Sequence, residues 1–196
     1  MFFRSERLFL RPVWAEDWQD LLSGLGDEAV VKNLAHTPWP YTAQDARAYA
    51  ALPVDPRLPR CLITRPHAAA GAQVIGGISL LDDRGDVALG YWVARAHWGQ
   101  GYATEAARAM LTMARVIGHH RILASHFHDN PASGRVLARL GFRATGEVVA
   151  RHSPARGGMT LAVEHELVLR DSGDCDDDGP EDDMGGTHRM ATRHAA

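Results

Sequence analysis

The sequence predicts an α+β domain built on a mixed, mostly antiparallel sheet of about seven strands flanked by helices. Two observations lead to this prediction: 45% of the 196 residues are hydrophobic, and antiparallel strand segments come first, with strand, helix, strand and helix following in succession. A chain of this length buries one substantial core and is too short for two ordinary domains. The order of the elements differs from a regular βαβ repeat, which favours an α+β arrangement.

The first elements are a strand and two helices. A strand is predicted over 7–13, and Pro12 near its end indicates an edge position, since proline donates no hydrogen bond to a neighbouring strand. Helical spacing and polar starts predict helices over 17–25 and 27–34.

A third helix and three strands follow. Thr42, three residues before Asp45, has the spacing of an N-cap with its acidic partner, and it predicts where this helix begins. The sequence Asp82-Asp83-Arg84-Gly85 is typical of a tight turn between two strands. The three strands are predicted at about 60–65, 72–81 and 86–94.

The second half of the chain alternates helices with strands. A glycine-rich turn opens a long helix that reaches about Ile117, and a strand over 121–128 follows it. A second helix is predicted over 131–140, and two final strands near 142–152 and 159–169.

Composition limits the class of partner and compartment. The formal net charge is only −3, so no overall basic field is available to hold nucleic acid or an anionic membrane. Cys61 and Cys175 do not suggest a disulfide framework, which favours a reducing compartment. The N-terminus has no apolar stretch of the length that a signal peptide or a membrane span requires. We therefore expect a cytoplasmic protein without nucleic-acid or membrane partners.

The composition shifts at Asp171. Residues 171–183 are acidic and glycine-rich, and residues 187–194 are basic without periodicity. Such a segment cannot bury enough apolar surface to offset the entropy of ordering it. We expect one domain over 1–170 and a disordered, acidic then basic tail over 171–196, with a metal site or a docking arm as the alternative for the tail.

The turn before the long helix has the make-up of a phosphate site; it reads Trp98-Gly99-Gln100-Gly101-Tyr102-Ala103-Thr104. A helix N-terminus offers unpaired N–H groups and the positive end of the helix dipole, and the two glycines let an anion approach the backbone closely. Two alternatives remain at this point: a turn without a ligand, and a nicotinamide dinucleotide fold. The dinucleotide-binding fingerprint has a third glycine, and in this chain Thr104 occupies its position.

Further motifs occur in order along residues 5–169. They are Glu6-Arg7-Leu8-Phe9-Leu10-Arg11-Pro12, Leu89-Gly90-Tyr91-Trp92-Val93, the glycine turn, Asp129-Asn130-Pro131-Ala132-Ser133 and Leu140-Gly141-Phe142. With these motifs the chain resembles GNAT acetyltransferases, specifically the branch that includes the ribosomal-protein alanine N-acetyltransferases.

The resemblance implies a splayed sheet, with acetyl-CoA lying between the strands at 86–94 and 121–128. It implies that the pantetheine arm pairs like an added strand with the backbone of Trp92, Val93 and Ala94. The pyrophosphate is expected on the N–H groups of Trp98, Gly99, Gln100, Gly101, Tyr102, Ala103 and Thr104. Asn130 and Ser133 match positions that line the thioester end of the cofactor, and Arg139 is expected near the nucleotide.

Amine acetylation needs a neutral nucleophile and a group that accepts its proton, while the leaving thiolate and the developing oxyanion need donors. A backbone N–H near Val93 could serve the oxyanion. Many relatives carry a carboxylate where this chain has Ala88, and a tyrosine where it has Leu137. The familiar base and acid of the family are therefore both absent.

The remaining candidates are a serine and histidines. Ser133 is expected to donate a proton to the thiolate beside Asn130, and His152 is the first choice for the base because imidazole titrates near neutrality. His126 and His128 alternate along one predicted strand and are further candidates, with His128 expected nearer the cleft. Because no clear additional ligand accompanies this histidine pair, no metal site is expected.

By the resemblance, residues 36–41 and 153–158 flank the acceptor. The leading hypothesis is an acetyl-CoA-dependent N-acetyltransferase, monomer or homodimer, acting on a protein N-terminal amine or a small-molecule amine. The alternative is a non-catalytic CoA-binding module of the same fold, which the residues at Ala88 and Leu137 make conceivable.

Overall fold

A computed structural model describes residues 2–67 and 71–169, which form one sheet with helices on both faces. The strands are β1 (Phe3–Arg4), β2 (Phe9–Pro12), β3 (Arg60–His67), β4 (Gly71–Asp83), β5 (Asp86–Val93), β6 (Arg121–Phe127), β7 (Arg143–Ser153) and β8 (Gly158–Val168). The helices are α1 (Trp18–Leu25), α2 (Glu28–Val31), α3 (Ala43–Ala50), α4 (Tyr102–Ile117) and α5 (Pro131–Arg139). The acidic and basic tail predicted over 171–196 lies outside the described residues.

The strand order is β1-β2-β3-β4-β5-β6-β8-β7, and every neighbouring pair is antiparallel except β5 and β6. The predicted α+β fold with a mostly antiparallel sheet is confirmed. An eighth strand, the two-residue β1, joins the seven that were expected. It pairs only with Phe9 and Leu10, so Pro12 lies in a part of β2 that pairs with β3 alone.

The parallel pair β5 and β6 is joined at a single paired position, Ala88 opposite Leu123. Beyond this position, the later residues of both strands line a common cleft. The sheet is therefore split into two halves, β1 to β5 on one side and β6, β8 and β7 on the other. This is the splay that the resemblance implied.

Hydrophobic residues pack on both faces of the sheet. The larger core lies between the sheet and α4 and includes Ile63, Leu80, Met110 and Ile122, all nearly or completely buried. A second core lies under α1, α2 and α3, where Leu62 packs on the opposite face from its neighbour Ile63. Alternation along the strands thus buries both faces.

The predicted N-cap of α3 is confirmed. Thr42 Oγ1 accepts a hydrogen bond from the backbone N–H of Asp45 at 3.2 Å, and Asp45 Oδ2 accepts one from the backbone N–H of Thr42 at 2.9 Å. Within residues 2–67 and 71–169, no helix combines the length and apolar character needed to cross a bilayer.

Candidate functional site

A cleft of about 820 Å³ follows the split in the sheet. Its walls come from the ends of β5 and β6, the N-terminus of α4, one side of α5 and the loop over 33–38. One end therefore meets the glycine turn, and the other opens among the loops between α2 and α3.

The backbone of β5 offers few free groups to this cleft. The N–H of Ala94 donates to the carbonyl of Ile75 at 2.8 Å, which directs Ala94, and by alternation Trp92, toward β4. The peptide groups of Val93 face the split instead, and its carbonyl accepts a hydrogen bond from Trp98 Nε1 at 2.6 Å. Of the three residues predicted to pair with a pantetheine arm, only Val93 thus has a backbone N–H facing the cleft.

The two tryptophan side chains have structural contacts. The ring of Trp92 packs against Gly24 of α1 and Gly77 of β4, where any Cβ would collide with it. The ring of Trp98 is 45% exposed and is fixed by its bond to Val93. Trp98 therefore links the glycine turn to the end of β5.

The N-terminus of α4 has unpaired donors. Gly99 and Gly101 have φ values of 74° and 80°, and no side chain caps the helix. The first hydrogen bond within α4 runs from the N–H of Glu105 to the carbonyl of Gly101, so the preceding N–H groups have no partner inside the helix. Thr104 is 7% exposed and lines the cleft, yet its hydroxyl has no partner among the described residues. This is the donor set that a phosphate group requires.

Two residues of the predicted phosphate turn, Trp98 and Gln100, already have other hydrogen-bond partners. The N–H of Trp98 already donates to the carbonyl of Arg95 at 3.2 Å. Gln100 does not line the cleft, and its side chain donates to the carbonyl of Ala96. Among the described residues, the free N–H donors of this turn that line the cleft therefore belong to the glycines and the first residues of α4.

An ion pair that the sequence reasoning missed holds this turn. Arg7 donates to Glu105 through its backbone N–H and its Nε, both at 2.7 Å, and Ser5 Oγ donates to the same carboxylate at 2.7 Å. Arg7 also donates to the carbonyl of Gln100 at 3.1 Å. Burial raises the pKa of Glu105, but the bonds from Arg7 and Ser5 outweigh it and hold that pKa below its usual value. The N-terminal segment is thereby fixed to the first turn of α4.

Asn130 and Ser133 meet where the cleft passes α5. The side-chain oxygen of Asn130 accepts from the N–H of Ser133 at 3.2 Å and caps the helix. Ser133 Oγ lies 2.7 Å from the hydroxyl of Tyr91 on β5, a partner that the sequence reasoning did not single out. Burial raises the pKa of Tyr91 to about 12, against the opposing effect of the bond to Ser133. Leu137 is 1% exposed and belongs to the core.

The structure separates the three candidate histidines. His152 is exposed and lies in a different depression beside Arg84, and His128 follows the end of β6 and is exposed. His126 alone of the three lines the cleft, with its ring beneath Gly134, where a Cβ would lie 2.8 Å from Nε2. Its buried Nδ1 has no partner among the described residues. Burial, and secondly the nearby His165 and His128, lower the pKa of His126.

Two arginines of α5 line the cleft. Arg139 lines the cleft and is exposed, as is Arg135 one turn earlier on α5. Arg135 had no place in the sequence prediction, although a spacing of four residues puts both guanidinium groups on one face of a helix.

The structure separates the two segments that were expected to flank an acceptor. His36, Thr37, Pro38 and Tyr41 line the cleft, whereas residues 153–158 do not, and Arg156 of that turn donates to Asp129 at 2.7 Å.

Three charged side chains form an ion cluster on the wall of the cleft. Arg151 Nη2 donates to Asp83 at 2.6 Å and to Glu164 at 2.7 Å, and all three residues line the cleft. The bond from Arg151 holds the pKa of Asp83 below its usual value. Over the described part of the chain, no three His, Cys, Asp or Glu residues are grouped to hold a metal.

The chain is similar to known acetyltransferases. The family model for an acetyltransferase (GNAT) domain matches residues 7–143. Two uncharacterized N-acetyltransferases are each 26% identical: YoaA of Bacillus subtilis over 72% of this chain and 82% of its own length, and p20 of Bacillus licheniformis over 85% and 96%.

Solved structures share the fold. A GNAT-family acetyltransferase of Bacillus anthracis superposes with a TM-score of 0.72 at 22% identity, over 86% of this chain and 98% of its own. The ribosomal-protein alpha-N-acetyltransferase RimL, in complex with coenzyme A, superposes with a TM-score of 0.69 at 17% identity, over 86% and 98%.

Proposed function

Since the chain belongs to the GNAT acetyltransferase family, we propose that it transfers an acetyl group from acetyl-CoA to a primary amine by direct attack on the thioester. The amine is carried by a protein N-terminus or by a small molecule. Two cysteines without a disulfide framework support a reducing, cytoplasmic setting, and the net charge of −3 argues against nucleic-acid or membrane partners.

The observation that carries this proposal is the donor set at the start of α4. Unpaired N–H groups and the partnerless Thr104 hydroxyl lie at the end of a cleft that continues into the split between β5 and β6. A pyrophosphate at the turn would bring an extended pantetheine arm along the Val93 backbone toward Asn130 and Ser133. Arg139 and Arg135 would then lie near the nucleotide phosphate.

The proposed step needs one donor and one acceptor of protons. As the amine nitrogen attacks the carbonyl carbon, the C–S bond breaks and the thiolate takes a proton from Ser133, which Asn130 positions. The nitrogen loses a proton to His126, whose lowered pKa keeps its ring neutral near pH 7. His152 has no part in this step because it lies outside the cleft.

The acceptor panel follows from the similar proteins. One of them is described as modifying the N-terminal serine of a ribosomal protein, and another is a self-immunity acetyltransferase solved with acetyl-CoA and AMP. Peptides that begin with serine follow from the first of these proteins. Peptides that begin with alanine, spermidine and glucosamine are added so that the panel represents both the protein and the small-molecule classes.

The test follows free thiol while the protein is incubated with acetyl-CoA and each amine of this panel. Thiol release that depends on one amine is expected, with mass spectrometry showing that amine acetylated. The alternative, a CoA-binding module without catalysis, is favoured by the apolar residues Ala88 and Leu137. It predicts CoA binding in calorimetry with no thiol release from any amine. Failure to bind CoA would contradict both proposals.

A further inference from the structure

Tyr91 and Ser133 connect the two walls of the cleft. Tyr91 projects from β5 and Ser133 from the first turn of α5, and their hydroxyl oxygens lie 2.7 Å apart. Both residues line the cleft, and neither hydroxyl has another partner among the side-chain bonds of the described chain. The bond therefore crosses the split at the place where the proposed function puts the leaving sulfur.

We propose that Tyr91 is the proton source for the departing thiolate, with the Ser133 hydroxyl passing the proton on. This inference rests on the proposed function. As the C–S bond breaks, its electron pair goes to sulfur. The Ser133 proton moves to that sulfur and gives the free thiol, the Tyr91 proton moves to Ser133 Oγ, and the phenolate recovers a proton from solvent.

The chemistry of the two hydroxyls supports this order. A phenol is a far stronger acid than an aliphatic alcohol, so the pair has its proton source on Tyr91. Burial raises the pKa of Tyr91 to about 12, so the phenol carries its proton across the neutral range, and the developing charge on sulfur must draw that proton through Ser133. Leu137 is completely enclosed by the core and carries no proton to give. The tyrosine on β5 would thus supply the proton from the opposite wall of the cleft.

A purely structural role for Tyr91 makes a different prediction about the leaving group. A selenol is a much stronger acid than a thiol, so a selenolate departs without protonation. If Tyr91 supplies the proton, its removal should matter with acetyl-CoA and matter little with the selenium analogue of acetyl-CoA. If Tyr91 only shapes the cleft, its removal should affect both donors equally.

The experiment measures kcat and KM for both donors in wild type, Tyr91→Phe, Ser133→Ala and the double variant, using the fastest amine of the panel. We expect Tyr91→Phe to lower kcat with acetyl-CoA on the order of 100-fold, a general-acid effect, with its KM nearly unchanged. The double variant should lose about as much as a single one, since both residues act in one relay. With the selenium donor the loss should shrink to about threefold or less.

Tyr49→Phe is the matched control, because this tyrosine also lines the cleft but its ring lies against Arg60 rather than against Ser133. It should retain wild-type kcat. Equal kcat in wild type and Tyr91→Phe, or the same loss of kcat with both donors, would overturn the role of Tyr91 as proton source. Either result would leave the proposed acetyl transfer itself unaffected. Absence of turnover in the wild type with every amine would overturn the proposed function itself.

Discussion

Gly101 has a φ of +80° where the glycine turn enters α4, a conformation that β-branched residues rarely adopt. Replacement by valine should distort the turn, and its side chain would approach Arg7, whose Nη2 lies 3.5 Å from the Cβ position. We expect Gly101→Val to lower CoA affinity by at least about tenfold while the fold is retained, since misplaced N–H groups no longer meet the phosphate. Calorimetric titration with CoA and circular dichroism measure the two effects.

Gly85 provides the control for that substitution. Its φ is +91° in the turn between β4 and β5, and open space surrounds its Cβ position. Gly85→Val imposes a similar backbone strain outside the cleft, so it should lower stability and leave CoA affinity unchanged. Equal affinities of the two valine variants would contradict the placement of a phosphate at Gly101.

The proposed role of His126 as the base predicts a dependence of the reaction on pH. Burial and the neighbouring His165 and His128 lower its pKa from 6.5, so the ring is neutral at pH 7 and gains its proton only at lower pH. A base must be neutral to act, and kcat/KM should therefore fall as pH decreases through this lowered pKa. His126→Asn should reduce kcat/KM at pH 7 about tenfold or more and remove this acid limb.

The measurement is kcat/KM from about pH 5 to pH 8 in wild type and variants. His152→Asn serves as the control because His152 is exposed outside the cleft, and it should keep the wild-type profile. Because the acceptor amine adds an acid limb of its own, the same midpoint and steepness of the limb in wild type and His126→Asn would contradict His126 as the base.

The N-terminus of α4 is held by side chains rather than by a cap of its own. Glu105 accepts bonds from Arg7 and Ser5, and its side chain is only 13% exposed. Glu105→Gln should lower the free energy of unfolding by about 1–2 kcal/mol, the loss of charge-assisted hydrogen bonds. It should also weaken CoA binding, because the first turn of α4 loses its tie to Arg7.

Because the pKa of Glu105 is lowered, its contribution to the free energy of unfolding depends on pH. A carboxyl whose folded pKa lies below its unfolded value of 4.5 stabilises the fold above that value, and the contribution disappears as pH falls through the folded pKa. The stability difference between wild type and Glu105→Gln should therefore shrink below about pH 4.5. A difference that stays constant down to pH 3 would contradict the ionised state of Glu105.

Local patterns predicted most elements because their signals lie within a few residues. Thr42 and Asp45 marked the start of α3, and the glycine turn marked α4. The helix expected over 27–34 ends at Val31, because the N–H groups of Asn33 and Leu34 bond three residues back rather than four. The two-residue strand β1 has no pattern of its own and exists only through pairing with β2.

The site was less predictable where it depends on register. Which peptide groups of β5 face the split is decided by pairing with β4, and this removes Trp92 and Ala94 from the expected set. Likewise, β6 ends at Phe127 and leaves His128 outside, while His126 turns beneath α5. Local sequence patterns do not predict which groups of a strand face the cleft, because strand register arises from contacts between distant segments.

The two halves of the sheet share one backbone bridge, so side chains must supply the remaining links across the split. Arg151 of β7 reaches Asp83 at the end of β4, and Tyr91 reaches Ser133 on the other side. A further pair, Arg121 with Asp86, connects the starts of β6 and β5. The cleft therefore lies between two half-sheets that share one hydrophobic core and are linked across the split by these polar contacts.

Arg151 should be the strongest of these links. Its side chain and those of Asp83 and Glu164 are 13%, 13% and 14% exposed, so Arg151→Met leaves two largely buried carboxylates with only the exposed Arg84 as a charged partner. We expect the free energy of unfolding to fall by about 3 kcal/mol at pH 7. The bond from Arg151 lowers the pKa of Asp83, so its contribution exists above the unfolded value of 3.8 and is lost at lower pH.

Arg121→Met is the matched control across the same split. Arg121 and Asp86 are 48% and 50% exposed, and solvent screening should limit the cost to less than about 1 kcal/mol. Urea unfolding at pH 7 and at pH 3 compares both variants with wild type. Because the contribution of Asp83 is lost as pH falls below its unfolded value of 3.8, the difference between Arg151→Met and wild type should be smaller at pH 3 than at pH 7. Equal effects of the two substitutions at pH 7 would contradict the ranking of Arg151 as the stronger link.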